Sequence, residues 1–231
     1  EWLVSRKLDG VRCLMYWDGK QVRTASRGGE NYDSATSHLR ENEQLIEFFE
    51  SHPSIILDGE LYRHGKTLQQ ISGAARMEKN AYDCDWLQYW IYDMYDTANP
   101  DMTALKRQGF LKEYCLCADS ENSDSDIQLV EQKIVSKEEN IWKLHDQYVS
   151  EGFEGSVIRN PDKPYKPNGR TNDMIKFKNY KSEDFKVVGY ELGLRGSEDM
   201  TFICELKDGR TFKAMPVGDR ATKEEYVENF E

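Results

Sequence analysis

Arg6-Lys7-Leu8-Asp9-Gly10-Val11-Arg12 is the stretch on which the reading of this chain turns. A lysine stands beside arginines, an aspartate and a glycine, and from Val11 onward the residues alternate, with Val11, Cys13 and Met15 facing one way and Arg12 and Tyr16 the other. Alternation of that kind marks a half-buried strand. Asp18-Gly19 supplies a hairpin turn and Val22–Ala25 a return strand, so Lys7 is expected where a β-hairpin begins. A lysine in such a setting is a candidate nucleophile.

Composition bounds what the rest can be. The 231 residues are 38% hydrophobic and 12% aromatic, enough for one good core with a smaller second unit. No apolar run is long enough to span a bilayer, which excludes a helical membrane protein and predicts a cytoplasmic one, in the host cytoplasm if the source is viral. The five cysteines (Cys13, Cys84, Cys115, Cys117, Cys204) lack metal-ligand spacing and read as reduced thiols. A net charge of −11 argues against an anionic partner only if the charge is evenly spread, and it is not. Residues 1–27 hold six Lys/Arg against three acids, residues 159–186 hold eight against four, and residues 119–139 hold seven acids against two bases. The basic ends suit phosphate; the acidic middle reads as solvated surface.

Further along, Ser26-Arg27-Gly28-Gly29 is a glycine loop, 38–49 a helix stopped by His52-Pro53, and Ile55-Ile56-Leu57 a strand running into Asp58-Gly59-Glu60. A short helix over 66–77, an aromatic buried strand over 87–94 ending at Tyr92-Asp93, a helix over 103–115 and one strand over 127–135 follow. Ser136-Lys137-Glu138-Glu139 has the capping-box pattern for a helix that Gly152 ends, and His145 on it is expected at the surface. Glu154-Gly155-Ser156-Val157-Ile158-Arg159 leads into a strand. After a loop with Pro161, Pro164, Pro167 and Gly169, Lys176 and Lys178 share one strand face, where two like charges call for an anion between them unless the strand is an exposed edge. Residues 185–190, 201–206 and 210–215 read as three strands, and 221–230 as a helix.

The order of these elements carries a resemblance. Lys7-Leu8-Asp9-Gly10-Val11-Arg12, Ser26-Arg27-Gly28, Asp58-Gly59-Glu60, Tyr92-Asp93-Met94, Glu154-Gly155-Ser156-Val157-Ile158-Arg159 and Lys176-Phe177-Lys178 resemble the six successive nucleotidyltransferase motifs of ATP-dependent DNA ligases. The resemblance implies an α+β fold, with an ATP-grasp-like nucleotidyltransferase domain of antiparallel sheets flanked by helices over 1–181 and part of an OB-fold β-barrel over 182–231. It also implies sealing of 5′-phosphate/3′-hydroxyl nicks in duplex DNA by a monomer, through a lysyl-AMP adduct at Lys7 and a DNA-adenylate. Tyr92 and Val157 would then hold the two faces of adenine, and Glu60 and Arg12 the ribose. Arg27 would meet the ribose or the nick 5′-phosphate. Glu154, with Glu60, would position Mg²⁺ (or Mn²⁺), Lys176 and Lys178 the α-phosphate, and Arg159 and Arg170 the duplex backbone.

Relative to that family the chain reads as partial, with only six residues before Lys7 and no closing basic motif of the OB-fold. That predicts slow reaction with ATP alongside joining of pre-adenylylated nicks. An RNA ligase, an mRNA capping guanylyltransferase and a non-catalytic nucleic-acid binder remain as alternatives at this level. Glu154-Gly155, where a guanylyltransferase tends to have Asp-Gly, favours the ligase.

Overall fold

The computed structural model describes residues 1–78, 81–114, 125–167, 171–179 and 183–230, so Arg170, Cys115 and Cys117 lie outside the described residues. The chain divides into a unit Glu1–Asn179 and a second unit whose described part is 183–230. Among the described residues no helix is long and apolar enough to cross a membrane.

The first unit contains strands β1 (Trp2–Lys7), β2 (Val11–Trp17), β3 (Val22–Ala25), β4 (Ile55–Tyr62), β5 (Gln88–Asp96), β6 (Ile127–Leu129), β7 (Gln132–Val135), β8 (Gly155–Arg159) and β9 (Met174–Lys178). Its helices are α1 (Ser37–Arg40), α2 (Glu43–Ser51), α3 (Leu68–Ala75), α4 (Ala104–Tyr114) and α5 (Glu138–Ser150). Two sheets form, one in the order β3-β2-β4-β5-β6 and one in the order β7-β1-β8-β9, antiparallel throughout except for the parallel β5–β6 pair. Cys13 and Met15 on β2, Leu57 and Leu61 on β4 and Ile91 on β5 turn into a core with Leu39, Leu45, Phe49 and Ile71 from α1, α2 and α3. Val4, Val135 and Ile158 of the second sheet close a smaller core on Ile141 and Tyr148 of α5. Each sheet is thus covered by helices on one face.

Lys7 does not begin a hairpin; it ends β1, and β2 belongs to the other sheet. β1, with Leu3 and Val4 fully buried, is a central strand paired on both sides. Leu8-Asp9-Gly10 carries the chain between the sheets. A Cβ on Gly10 would lie 2.3 Å from the Leu61 carbonyl oxygen, so only glycine lets this crossing run against β4.

Other departures have local causes. The helix expected over 38–49 is two helices, because the Asn42 side chain accepts from Leu45 N–H (3.1 Å) and starts α2 afresh. The strand expected over 127–135 is β6 and β7, which pair in different sheets. No capping box forms at Ser136; α5 starts at Glu138 with Lys137 preceding it and no side-chain cap, whereas Thr67 and Gln70 build a capping box on α3.

In the second unit β10 (Lys186–Gly193), β11 (Gly196–Glu205) and β12 (Thr211–Ala214) form an antiparallel sheet, followed by α6 (Arg220–Glu228), whose first turn is capped by Asp219. The sheet is open, and no barrel closes among the described residues.

Candidate active site

The uncovered faces of the two sheets in the first unit enclose a cavity of about 480 Å³. Besides Arg6, whose guanidinium turns to the other face of β1, eight basic residues line it (Lys7, Arg12, Arg27, Arg107, Arg159, Lys163, Lys166, Lys176) against four acids (Asp58, Glu60, Asp93, Asp173). In a chain of net charge −11 that excess marks a site for a polyanion. Lys7, Arg12, Arg27, Glu60, Tyr92, Val157, Arg159 and Lys176, all singled out in the sequence, meet there.

Register explains how the lysines gather. Lys7 pairs with Gly155, which pairs with Lys178, and one step back Ser5 pairs with Val157 and Val157 with Lys176. These positions share one sheet face. Gly155, between the two lysines, has φ +153°, and a Cβ on it would lie 2.1 Å from the Phe177 carbonyl oxygen. Immediately before it, α5 ends in a Schellman motif: Gly152 N–H donates to Val149 O (3.0 Å) and Phe153 N–H to Tyr148 O (3.0 Å). The Arg6 guanidinium lies over the rings of Phe153 (4.9 Å) and Tyr148 (5.6 Å), pinning that helix end to β1. Glu154 is thereby delivered to Lys7. Its backbone N–H donates to Lys7 O (3.0 Å), and its carboxylate takes the ammonium groups of both Lys7 and Lys178. Burial works against the Glu154 charge, but the hydrogen bonds and charges of Lys178 and Lys7 outweigh it and hold the carboxyl below its ordinary range. Burial, and then the charge of Lys7, bring the Lys176 ammonium below the ordinary lysine value.

The opposite wall is organised by Asp58, which is buried. Arg12 donates to both of its oxygens (Nε and Nη2, each 2.8 Å), and the hydroxyls of Tyr92 (3.0 Å) and Tyr165 (2.7 Å) complete the shell. Burial opposes the Arg12 charge, but hydrogen bonding and attraction to Asp58 prevail and raise its proton affinity further. Tyr92 reaches the cavity because β5 carries one extra residue opposite β4, where Asp58 pairs with Asp93 and Gly59 with Ile91. This bulge lets two successive side chains, Tyr92 and Asp93, line the same space.

Glu60 sits beside Arg12 across β2 and β4, and burial pushes its carboxyl up to about 7, with Lys7 pulling the other way. A carboxyl raised above its unfolded value of 4.5 contributes stability that is complete below that value and lost as pH rises through about 7. Each tenfold change in proton affinity is worth about 1.4 kcal/mol, which bounds the loss at about 3 kcal/mol. Glu60→Gln should therefore gain thermal stability relative to the wild type between pH 5 and pH 8, with no further gain above. Melting curves across that range test this, and a constant difference would mean that Glu60 is ionised throughout.

Asp93 ties the two walls together. It accepts from Arg107 of α4 (Nε 2.7 Å, Nη2 3.1 Å) and from Arg159 of β8. Arg159, expected on the duplex backbone, is a largely buried partner of Asp93 in the cavity wall. His145, expected at the surface, is 4% exposed. In its neutral form it accepts from the Ser156 hydroxyl at Nδ1 (3.0 Å) and donates from Nε2 to Asn179 Oδ1 (3.0 Å), which ties β8 to the chain just beyond β9. Asp58 as the hub, Arg107, and Tyr165 were not singled out from sequence. The spacing Ala104, Arg107, Leu111 places an arginine on the buried stripe of α4, and Ile141, His145, Tyr148 does the same for the histidine.

Comparison with known proteins adds a family. Residues 1–178 match the family model described as ATP dependent DNA ligase domain. A DNA ligase of African swine fever virus is 28% identical over 221 residues, covering 93% of this chain and 51% of the viral protein, so the chain spans about half the length of that relative. A DNA ligase of Haemophilus influenzae is 27% identical over 209 residues, covering 90% of this chain and 69% of the bacterial one. Among solved structures, a Lig E DNA ligase superposes with TM-score 0.72 at 20% identity, covering 97% of this chain and 81% of that one, which shows a shared fold.

Proposed function

Because the chain belongs to the ATP-dependent DNA ligase family, to whose model its residues 1–178 match, we propose that it carries the adenylating part of a ligase that seals 5′-phosphate/3′-hydroxyl nicks in duplex DNA. Residues 1–181 would be the adenylation domain and 182–231 the opening part of an OB-fold, acting as a monomer in the cytoplasm. The observation that carries this reading is the cavity itself, with Lys7 at the end of a central strand facing an excess of cations.

In the first step Lys7, having released one Nζ proton to solvent, attacks the α-phosphorus of ATP with the freed lone pair and loses a second proton as the P–N bond forms. The P–O bond to pyrophosphate breaks, and a phosphoramidate to AMP remains on Lys7. Lys176, in the adjacent row, and Lys178, across Gly155, meet the charge that builds on the α-phosphate oxygens. Tyr92 and Val157 line the cavity from the two sheets as the walls for the base, with Arg12 and Glu60 on the sugar side. AMP then passes to the nick 5′-phosphate, and attack by the 3′-hydroxyl joins the strands with release of AMP. Arg27 lines the cavity as the candidate contact for the 5′-phosphate, and Arg170 remains a candidate for the backbone.

The donor set also fits a divalent cation. Among the described residues no cluster of three or more His, Cys, Asp or Glu is present, and Mg²⁺ characteristically uses one or two carboxylates together with substrate phosphates. Glu154 and Glu60 would hold it, and it would neutralise phosphate charge.

Incubation of the full-length protein with α-labelled ATP or GTP tests the proposal. Covalent labelling by ATP and not GTP, discharged by nicked DNA in preference to nicked RNA, is the expected result. Labelling by GTP would point to a capping enzyme, discharge by RNA to an RNA ligase, and no label from either nucleotide to a non-catalytic binder.

A further inference from the structure

We propose that Tyr165 is a positioning residue of the nucleotide site, its hydroxyl fixing the Arg12 guanidinium on the sugar side of the cavity. This rests on the reading of the cavity given above. Tyr165 belongs to the proline-bearing loop after β8, outside every motif the sequence displays, yet its hydroxyl donates to Asp58 Oδ2 (2.7 Å) and accepts from Arg12 Nη2 (2.8 Å). Arg12 Nη2 therefore serves two partners and Nε a third contact, to Asp58 Oδ1, which leaves Nη1 without a partner among the described residues. One rotation of the guanidinium satisfies all of these bonds, and it sets the direction of Nη1.

The tyrosine itself is fixed from behind. Its ring packs at a tilt against Tyr95 (centroids 5.4 Å) and under the Arg107 guanidinium (5.6 Å). The loop that carries it caps α4, since Ala104 N–H donates to Lys163 O (2.9 Å) and Leu105 N–H to Pro161 O (2.9 Å), partners that an N-terminal turn otherwise lacks. Tyr165 is thus in place before any ligand arrives. Without its hydroxyl, the buried Asp58 carboxylate loses a donor and Arg12 an acceptor, and the guanidinium is no longer confined to one orientation.

Tyr165→Phe keeps the ring and removes only the hydroxyl; Tyr165→Leu removes both. In the full chain, with folding verified by thermal melting, two quantities are measured: ATP affinity by calorimetry and the Arg12 Nε–H resonance by ¹⁵N NMR. Tyr165→Phe is expected to weaken ATP about tenfold, to displace or broaden the Arg12 signal, and to leave the labelling rate at saturating ATP near wild type, a change in KM without one in kcat. An unchanged Arg12 signal and ATP affinity in Tyr165→Phe, with both lost in Tyr165→Leu, would mean that the ring acts by packing alone and would overturn the proposal. If the wild type fails to bind ATP, the proposed function falls, and the Arg12 signal in Tyr165→Phe still decides whether Tyr165 positions the guanidinium.

Discussion

Lys7→Ala abolishes covalent labelling by α-labelled ATP, a fall on the order of a thousandfold or more, as expected when a nucleophile is removed. The competing nucleophile is Lys176, one row back on the same sheet face, whose ammonium loses its proton more readily than an ordinary lysine's. That shift comes first from burial and second from the charge of Lys7. Removing Lys7 removes the second cause, so Lys176 becomes a poorer nucleophile in the variant and does not take over. Lys176→Ala should accordingly slow labelling while leaving the label on Lys7. Peptide mapping reads the outcome directly, and label on Lys176 in the Lys7→Ala chain would reverse the assignment. Joining of a pre-adenylylated nick needs no lysine nucleophile, so Lys7→Ala should retain it, which separates the covalent role from a part in binding.

Sequence pattern shows which residues share a face, and much less which surface that face meets. The alternation from Val11 separated Cys13 and Met15 from Arg12, and these turn out to face the core and the cavity. The same alternation could not say that Lys7 ends a strand in one sheet while Arg12 lies in the other, because sheet membership is fixed by pairing with β7 and β8, more than a hundred residues away. Residues 127–135 failed for the same reason. One uninterrupted β-like run crosses between sheets at Val130, whose N–H donates to Ile91 O (2.7 Å).

The site was legible where a residue type is rare for structural reasons and hidden where a charge resembled solvated surface. Glycines beside catalytic-type residues marked the motifs, since close backbone approach at Gly10 and Gly155 leaves no room for a side chain. Arg107 was not distinguished from solvated charge and Arg159 was read as a contact for the duplex backbone, whereas both pair with one buried carboxylate, Asp93. Tyr165 lay in a loop with no periodicity to interpret, and only the three-dimensional path of that loop over α4 brings it to Asp58.

Glu154→Gln tests the other half of the catalytic arrangement, and labelling by ATP is expected to fall about a hundredfold. The substitution keeps the side chain's shape and removes the charge shared by Lys7 and Lys178, which flank Gly155 in one row. Two ammonium groups then face each other with a neutral amide between them, and Lys7 loses the partner that aims it before ATP arrives. Loss of the carboxylate also weakens the hold on a divalent cation, so half-saturation should require more Mg²⁺. pH separates these effects from a simple titration. Because Glu154 is held below its unfolded value of 4.5, its ion pairs are complete above that value and are lost only as pH falls through the lower folded one. Between pH 6 and pH 9 the wild-type carboxylate stays charged, so the deficit of Glu154→Gln should not vary with Glu154 ionisation across that window. Labelling at the wild-type rate, with unchanged Mg²⁺ dependence, would reduce Glu154 to a counterion that holds β1 and β9 together in the resting protein. A hundredfold loss with the fold intact would make it part of the machinery that presents Lys7 to the α-phosphate.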